Sequence, residues 1–296
     1  MSHPSDFDID RRLVRERAAR HAQQADEAGF LAREVAQRMA ERLAYIKYEP
    51  ARIVDIGCGV GRDFPLLAQR YPKAERIGVN FALPLLRLAR GERGFFQKLL
   101  GAARATDPRY ICADSTALPL ARASVQMVWS NLVLNWLADP MPAFREMHRV
   151  LEVGGMLMFS TLGPDTLKEL RAVMPAGSGE RVHRFIDMHD IGDALVQAGF
   201  AEPVMDMQTI TLTYGDFDSL LRDLRHAGAT NAASTRPRGL SGKAGWARAR
   251  EGYERLRKDG RLPATFEVVY GHAWKAAPKQ TADGRSVIEF KPREPR

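Results

Sequence analysis

The run Arg52-Ile53-Val54-Asp55-Ile56 enters the cluster Gly57-Cys58-Gly59-Val60-Gly61, and a helical pattern resumes from Asp63 to Tyr71. A short β-branched run reads as a strand, and apolar residues recurring every three or four positions read as a helix. Strand, glycine turn and helix in this order open a βαβ unit, which commits a chain to a parallel sheet with helices packed on it. The alternation continues with expected strands at Arg76–Asn80, Tyr110–Ala113, Val125–Ser130 and Met156–Thr161, and expected helices at Pro84–Leu100 and Met141–Leu151. Val153-Gly154-Gly155 is expected as the turn into the fifth strand. Right-handed crossovers make this one doubly wound sheet, with ligands beyond the carboxyl ends of its strands.

After Gly163 the pattern changes. Helices are expected around Asp165–Met174, Asp190–Ala198, Phe217–His226 and Lys243–Arg257, with a Gly177-Ser178-Gly179 loop and strands at Val204–Thr213 and Thr265–Trp274. Asp187 or Asp190 is the expected N-cap of its helix. Two late strands with helices between them fit an antiparallel edge. The expected fold is therefore α/β, a Rossmann-like doubly wound seven-stranded sheet with N-terminal helices and a helical insertion before the last strand. One or two amphipathic helices fill an N-terminal segment, 1–45. The main domain is expected over 46–275, with the insertion at about 215–260, and the polar, proline-containing stretch 276–296 as a weakly ordered tail.

Composition narrows the classes. The chain has 296 residues, 45% hydrophobic and 27% charged, with no apolar run of the roughly 18 residues that a membrane span requires. No signal or transit peptide is expected, because the arginine-rich stretch from Arg11 to Arg20 leads into no apolar core and cleavage site. Cys58 and Cys112 are the two cysteines; they read as free thiols in a reducing cytoplasm. The net charge of +8 favours an acidic partner without saying which kind.

The turn after the first strand needs glycines because the backbone bends sharply and approaches a ligand, which a Cβ would obstruct. Gly57, Gly59 and Gly61 supply the spacing G-x-G-x-G, preceded by Asp55; the dinucleotide pattern would place its third glycine at Arg62. This favours S-adenosylmethionine as cofactor over NAD, with Asp55 near the amino-acid moiety, orienting its ammonium directly or through water. Ribose recognition usually asks for an acid about 20 residues beyond the loop. This chain has Asn80 there, an amide that can still bond a hydroxyl, and Glu75 lies too early in the strand to replace it. Asp114 and Ser115, after the third strand, are placed for the adenine, although Asp114 also reads as a turn cap. Ser130 and Asn131 would lie beside the methyl group, and Asn135 and Trp136 wall the pocket or pack in the core.

The glycine loop, Asp114-Ser115, Ser130-Asn131-Leu132 and Leu151-Glu152-Val153-Gly154-Gly155 together resemble a class I methyltransferase. Further segments, Pro164 to Leu170, Asp187 to Gly192, Leu224 to Asn231 and Leu262 to Glu267, are similar to the BioC family, the malonyl-acyl carrier protein O-methyltransferases. The resemblance covers roughly positions 10 to 275. It implies transfer of a methyl group from S-adenosyl-L-methionine to the free carboxyl of malonyl-acyl carrier protein, at the start of biotin synthesis. The family usually carries a Tyr-Asp pair in its first helix; here the corresponding stretch, Arg20 to Asp26, has no tyrosine. Complex I assembly factors that hydroxylate an arginine share much of the C-terminal pattern. A hydroxylase or assembly factor, or a non-catalytic adaptor, is thus the alternative reading.

A malonyl carboxylate is already ionised at neutral pH, so the reaction asks for alignment rather than for a general base. No catalytic residue is assigned and no metal cluster is expected. Arg184 and Lys168 are candidates for the substrate carboxylate, while His183, His189 and His226 read as structural. Arg236, Arg238, Lys243, Arg248 and Arg250 would receive an acidic acyl carrier protein. No nucleic-acid partner is expected, since no RNA-binding motif accompanies the charge, and no membrane partner either.

Overall fold

The computed structural model describes residues 8–24, 27, 29–91, 107–174, 181–237, 239 and 242–278. Seven strands form one sheet in the order β3-β2-β1-β4-β5-β7-β6. These are β1 (Arg52–Ile56), β2 (Glu75–Asn80), β3 (Arg109–Cys112), β4 (Val125–Ser130), β5 (Leu151–Leu162), β6 (Ala201–Tyr214) and β7 (Leu262–Trp274). The first five are parallel. β7 runs antiparallel between β5 and β6, the late edge expected from the sequence.

The helices are α1 (Arg11–Arg20), α2 (Phe30–Leu43), α3 (Phe64–Arg70), α4 (Leu83–Gly91), α5 (Met141–Val150), α6 (Lys168–Val173), α7 (Met188–Gln197), α8 (Phe217–His226) and α9 (Lys243–Glu254). Asp187 caps α7 by accepting from His189 N at 2.8 Å, and Asp216 caps α8 by accepting from Ser219 N at 2.7 Å. The far part of the helix expected to reach Leu100, the loop Gly177-Ser178-Gly179, and all of the tail beyond 278 lie outside the described residues.

Strand alternation divides the core. Ile53, Met127, Trp129, Met156 and Met158 face α2 and α3 together with the late helices, in one buried cluster with Met39, Leu67, Leu220 and Tyr253. Val54, Ile56, Val128, Leu157 and Phe159 face the other way, onto Phe144 and Met147 of α5 and Ile191 and Leu195 of α7. A period of two sends successive side chains to opposite faces, and each fully buried large side chain contributes about 1.5–3 kcal/mol. Both faces are covered, so access is left at the strand ends.

One boundary differs from the sequence reading. Val153-Gly154-Gly155 is a bulge within β5, not a turn before it. Register on β4 shifts between Val125↔Leu151 and Met127↔Met156, and the extra residues pair with the chain after β7: Gly154 N donates to Lys275 O at 2.8 Å and Lys275 N to Gly155 O at 2.9 Å. A bulge satisfies these groups while keeping the strand continuous.

Candidate active site

The turn leaving β1 is held by backbone bonds: Gly57 N and Cys58 N both donate to Val79 O of β2, at 2.7 and 3.1 Å. Gly57 has φ +85°, and a Cβ there would stand 2.1 Å from Val133 Cγ2; Gly59 has φ +55° and open space where its Cβ would be. The first glycine is thus demanded by the protein's own packing, and the second leaves its backbone bare toward the cavity. Gly61 faces Tyr110 and Phe64, so its missing side chain serves packing of the loop.

Beyond the strand ends lies a cavity of about 230 Å³ lined by Gly57, Gly59, Asn80, Ser115 and Asn131, among others. Of the nine residues singled out from sequence, these five come together. Asp55, Gly61, Asp114 and Ser130 are not in the lining. Asp55 is buried under the turn with Oδ2 unpartnered, and Ser130 Oγ is likewise buried without a partner. Asp114 accepts from Arg11 at 2.7 Å and from Thr116 N and Oγ1 at 2.8 and 2.7 Å, so it caps its turn and pairs with α1. Burial opposes its ionisation, but the bonds from Thr116 and Arg11 prevail and hold its carboxyl below the usual range.

Asn80 is buried, and its Oδ1 accepts from Ala82 N at 2.8 Å. The carbonyl side of the amide is spent on the turn after β2, which leaves Nδ2, a donor, for the cavity. Glu75 is engaged elsewhere, with Arg52 at 2.6 Å and Arg109 at 3.1 Å.

Sequence reasoning missed Asp63. An acid opening a helix ordinarily reads as an N-cap, yet Asp63 makes no such bond. It turns inward and accepts from Trp129 Nε1 at 2.8 Å and Asn131 Nδ2 at 3.1 Å. Asn131 also donates to Ala32 O at 2.9 Å and accepts from Ser160 Oγ at 2.9 Å. The next residue, Leu132, has φ +53°, a strained conformation at the cavity wall, fixed by its N–H to Ser160 Oγ at 3.0 Å. Burial, and then the charge of Asp63, pushes the Asp55 carboxyl well up; burial also raises Asp63, against the bonds from Trp129 and Asn131.

Helix α1 roofs this cavity through Arg11, Val14 and Ala18. It is fastened at both sides, by Arg11 to Asp114 and by Arg17 to the carbonyls of Thr230 and Asn231 at 3.0 and 2.8 Å. Of the stretch Arg20 to Asp26, where the family resemblance would place a Tyr-Asp pair, Ala22 packs in a buried cluster with Val60 and Ala82; Ala25 and Asp26 lie outside the described residues.

A second cavity, of about 210 Å³, adjoins the first, and Trp136 lines both. Its walls are the C-terminal segments that carried the family resemblance. Thr166, Leu167 and Leu170 come from one of them, Leu224, Arg225, Ala229, Thr230 and Asn231 from another, and Phe266 from a third. The first and third interlock: Leu167 N donates to Thr265 O at 2.6 Å, and Glu169 accepts from Thr265 N at 3.1 Å. Lys168 pairs with Asp165 at 2.9 Å. Neither it nor exposed Arg184 lines either cavity, so both carboxylate candidates are displaced; Arg181 and Arg225 stand in the second cavity instead. Of the expected basic face, Arg250 pairs with Asp218 at 2.6 Å and Arg236 with Asp10 at 3.3 Å. Lys243 and Arg248 are exposed, and Arg238 is outside the described residues. No described helix is long and apolar enough to cross a membrane.

A glycine turn between β1 and α3, a cavity at the parallel strand ends and an antiparallel β7 define a class I S-adenosylmethionine-dependent methyltransferase, and residues 54–159 match the family described as "Methyltransferase domain". The same fold recurs in the YcgJ protein of Bacillus subtilis, with TM-score 0.55 and 16% identity over 83% of this chain and 100% of that one. A SAM-dependent methyltransferase of Thermotoga maritima gives TM-score 0.50 at 16% identity over 88% and 99%. The malonyl-[acyl-carrier protein] O-methyltransferase of Gallionella capsiferriformans is 52% identical over 96% of this chain and 98% of its own, and that of Laribacter hongkongensis 49% over 98% of each. The chain belongs to the malonyl-[acyl-carrier protein] O-methyltransferase family. It is an O-methyltransferase that uses S-adenosylmethionine, which settles the alternative of a hydroxylase or non-catalytic adaptor.

Proposed function

We propose that this protein methylates the free carboxylate of malonyl-acyl carrier protein, the step that masks a malonyl unit for biotin precursor synthesis. The observation that carries the reading is the pair of cavities meeting at Trp136. One is built on the glycine turn and the other on the C-terminal segments, so a cofactor and an acceptor each have a place and meet at a common wall.

The first cavity fits the cofactor. The bare backbone at Gly59 admits close approach, and Gly57, Asn80, Ser115 and Asn131 line the space with backbone and side-chain polar groups that a bound cofactor would meet. Asn80 Nδ2 would donate to a ribose oxygen and Ser115 would face the adenine. Asn131, fixed from three sides, and strained Leu132 would shape the wall beside the reacting groups. When bound, S-adenosylmethionine supplies an electrophilic methyl group on a sulfonium.

The remaining task is positional. A carboxylate is ionised at neutral pH and needs no proton removed; the enzyme has to align it and exclude water. Helix α1 closes the roof, and Trp136 sets the boundary between the two chambers. The acidic carrier would dock at the mouth of the second cavity, where Arg225 and Trp246 are exposed lining residues and exposed Lys243 shares a face of α9 with Trp246 at i, i+3 spacing.

Incubation of the purified protein with methyl-labelled S-adenosylmethionine and malonyl-acyl carrier protein tests this. Label on the carrier, released as methanol by mild alkali and absent with acetyl-acyl carrier protein, is expected. No transfer to the malonyl form would overturn the acceptor assignment.

A further inference from the structure

His183 is 6% exposed and lines the second cavity. Its ring lies between Trp136 and Phe185, with centroids 5.4 and 4.7 Å away. It bonds the backbone of Asn135, while Nε2 is buried with no partner. The bond to Asn135 therefore comes from Nδ1, which carries the hydrogen, and Nε2 keeps a lone pair. A buried acceptor without a donor costs about 1–3 kcal/mol unless a ligand satisfies it.

The rest of the cavity says what ligand this is. Leu167, Leu170, Leu221 and Phe266 make it apolar along its length, and exposed Arg225 and Trp246 stand at its rim. Its inner end meets the cofactor cavity at Trp136. The space suits a narrow chain, largely apolar, that presents an N–H partway along and delivers its tip to Trp136. A carboxylate does not suit Nε2, because it offers no proton and meets a lone pair. Burial and the positive charge of Arg171 hold the imidazole neutral, its pKa down to about 4.

Resting on the acceptor assignment above, we propose that the second cavity is the channel for the amide-bearing pantetheine arm of the carrier. In it, His183 Nε2 accepts a hydrogen bond from an arm amide and thereby sets how far the malonyl group reaches past Trp136. His183 is then a positioning residue for the acceptor, and the carboxylate itself lies inward of it.

The test compares two small acceptors, malonyl-pantetheine and an S-ethyl malonyl thioester that lacks amides, on the wild-type protein and on His183→Leu and His183→Gln. The wild type is expected to favour malonyl-pantetheine in KM. His183→Leu should shrink that advantage about tenfold, as loss of one hydrogen bond does, chiefly through KM. His183→Gln, which restores an acceptor, should recover most of it. Calorimetric binding of S-adenosylmethionine reports whether each variant is folded. If His183→Leu does not fold, Ala229→Met, which fills the same cavity, should raise the KM of malonyl-pantetheine instead. An undiminished preference in the folded His183→Leu protein, or in Ala229→Met when that variant replaces it, overturns the channel while leaving the acceptor assignment in place. A wild type inactive on both thioesters and on the malonyl carrier overturns the acceptor assignment, and the channel with it.

Discussion

The carboxylate of Asp63 accepts the indole N–H of Trp129 at 2.8 Å, at a point where both side chains are withdrawn from water. The same oxygen takes Asn131 Nδ2 at 3.1 Å, so one acceptor fixes the end of β4 on which the cavity wall is built. Asp63→Ala leaves the buried indole N–H of Trp129 unpaired and removes one of the two bonds of Asn131 Nδ2, and should lower unfolding stability by about 1–3 kcal/mol. Asp63→Asn keeps an acceptor and removes the repulsion from Asp55, and should cost less than half of that. Urea unfolding of the two variants side by side reads the difference, and equal losses would contradict the account.

Asn80 spends Oδ1 on Ala82 N and turns a donor toward the cavity. Asn80→Ala should weaken S-adenosylmethionine binding about tenfold, through the lost bond and the loosened turn. Asn80→Asp keeps the turn bond with one oxygen and replaces the donor with a charged acceptor, which ribose hydroxyls satisfy more strongly. Titration calorimetry should find the Asp variant binding at least as tightly as wild type; an Asp variant as weak as the Ala variant would show that the ribose does not meet this residue.

Acid should destabilise the protein from just below neutrality. His183 is neutral in the fold, with its pKa brought from near 6.5 down to about 4 by burial and Arg171. Burial likewise lowers His148 and His272. A depressed pKa means that the unfolded chain takes up the proton first, so the stabilisation present above about pH 6.5 is lost as pH falls toward 4. His183 alone accounts for up to about 3 kcal/mol. Melting temperatures between pH 7.5 and 4.5 should fall, and less steeply in His183→Gln; parallel slopes would contradict this origin.

Encounter with the carrier should depend on salt. Arg225 is an exposed lining residue of the second cavity, and Lys243 is exposed one helical turn before its lining residue Trp246; an acidic protein is steered there by charge that salt screens. Charge reversal at both should raise KM for malonyl-acyl carrier protein several-fold and leave a smaller effect on malonyl-pantetheine. Added salt should act as the substitutions do. Equal effects on the two acceptors would place the carrier elsewhere.

The βαβ series was legible because strand and helix periodicities differ and glycines punctuate them. The antiparallel edge was legible in two late strands separated by helices, whereas the seating of β7 between β5 and β6 was not, because periodicity does not say which neighbour a strand pairs with. The bulge at Gly154 was not legible, because a Val-Gly-Gly stretch is written the same way whether it turns the chain or pairs with Lys275. At the site, residues whose backbone carries the role, such as Gly57 and Gly59, could be placed from spacing. Asp63 could not, since an acid at a helix start gives no sign of turning inward. Nor could His183, whose meaning depends on Nε2 being left without a donor among segments far apart in sequence.

The most direct test of the central claim, that the glycine turn of β1 is the working cofactor site, is calorimetric titration with S-adenosylmethionine of the wild type and Gly59→Val. Gly57 is the wrong probe, because its Cβ would strike Val133 and confound folding with binding. At Gly59 the space is open, so a side chain obstructs the ligand at a backbone cost of about 1–2 kcal/mol. The account predicts micromolar binding by the wild type, and loss of at least tenfold in a Gly59→Val protein that still melts cooperatively. Unchanged affinity in that variant, or no binding by the wild type at millimolar cofactor, would contradict it.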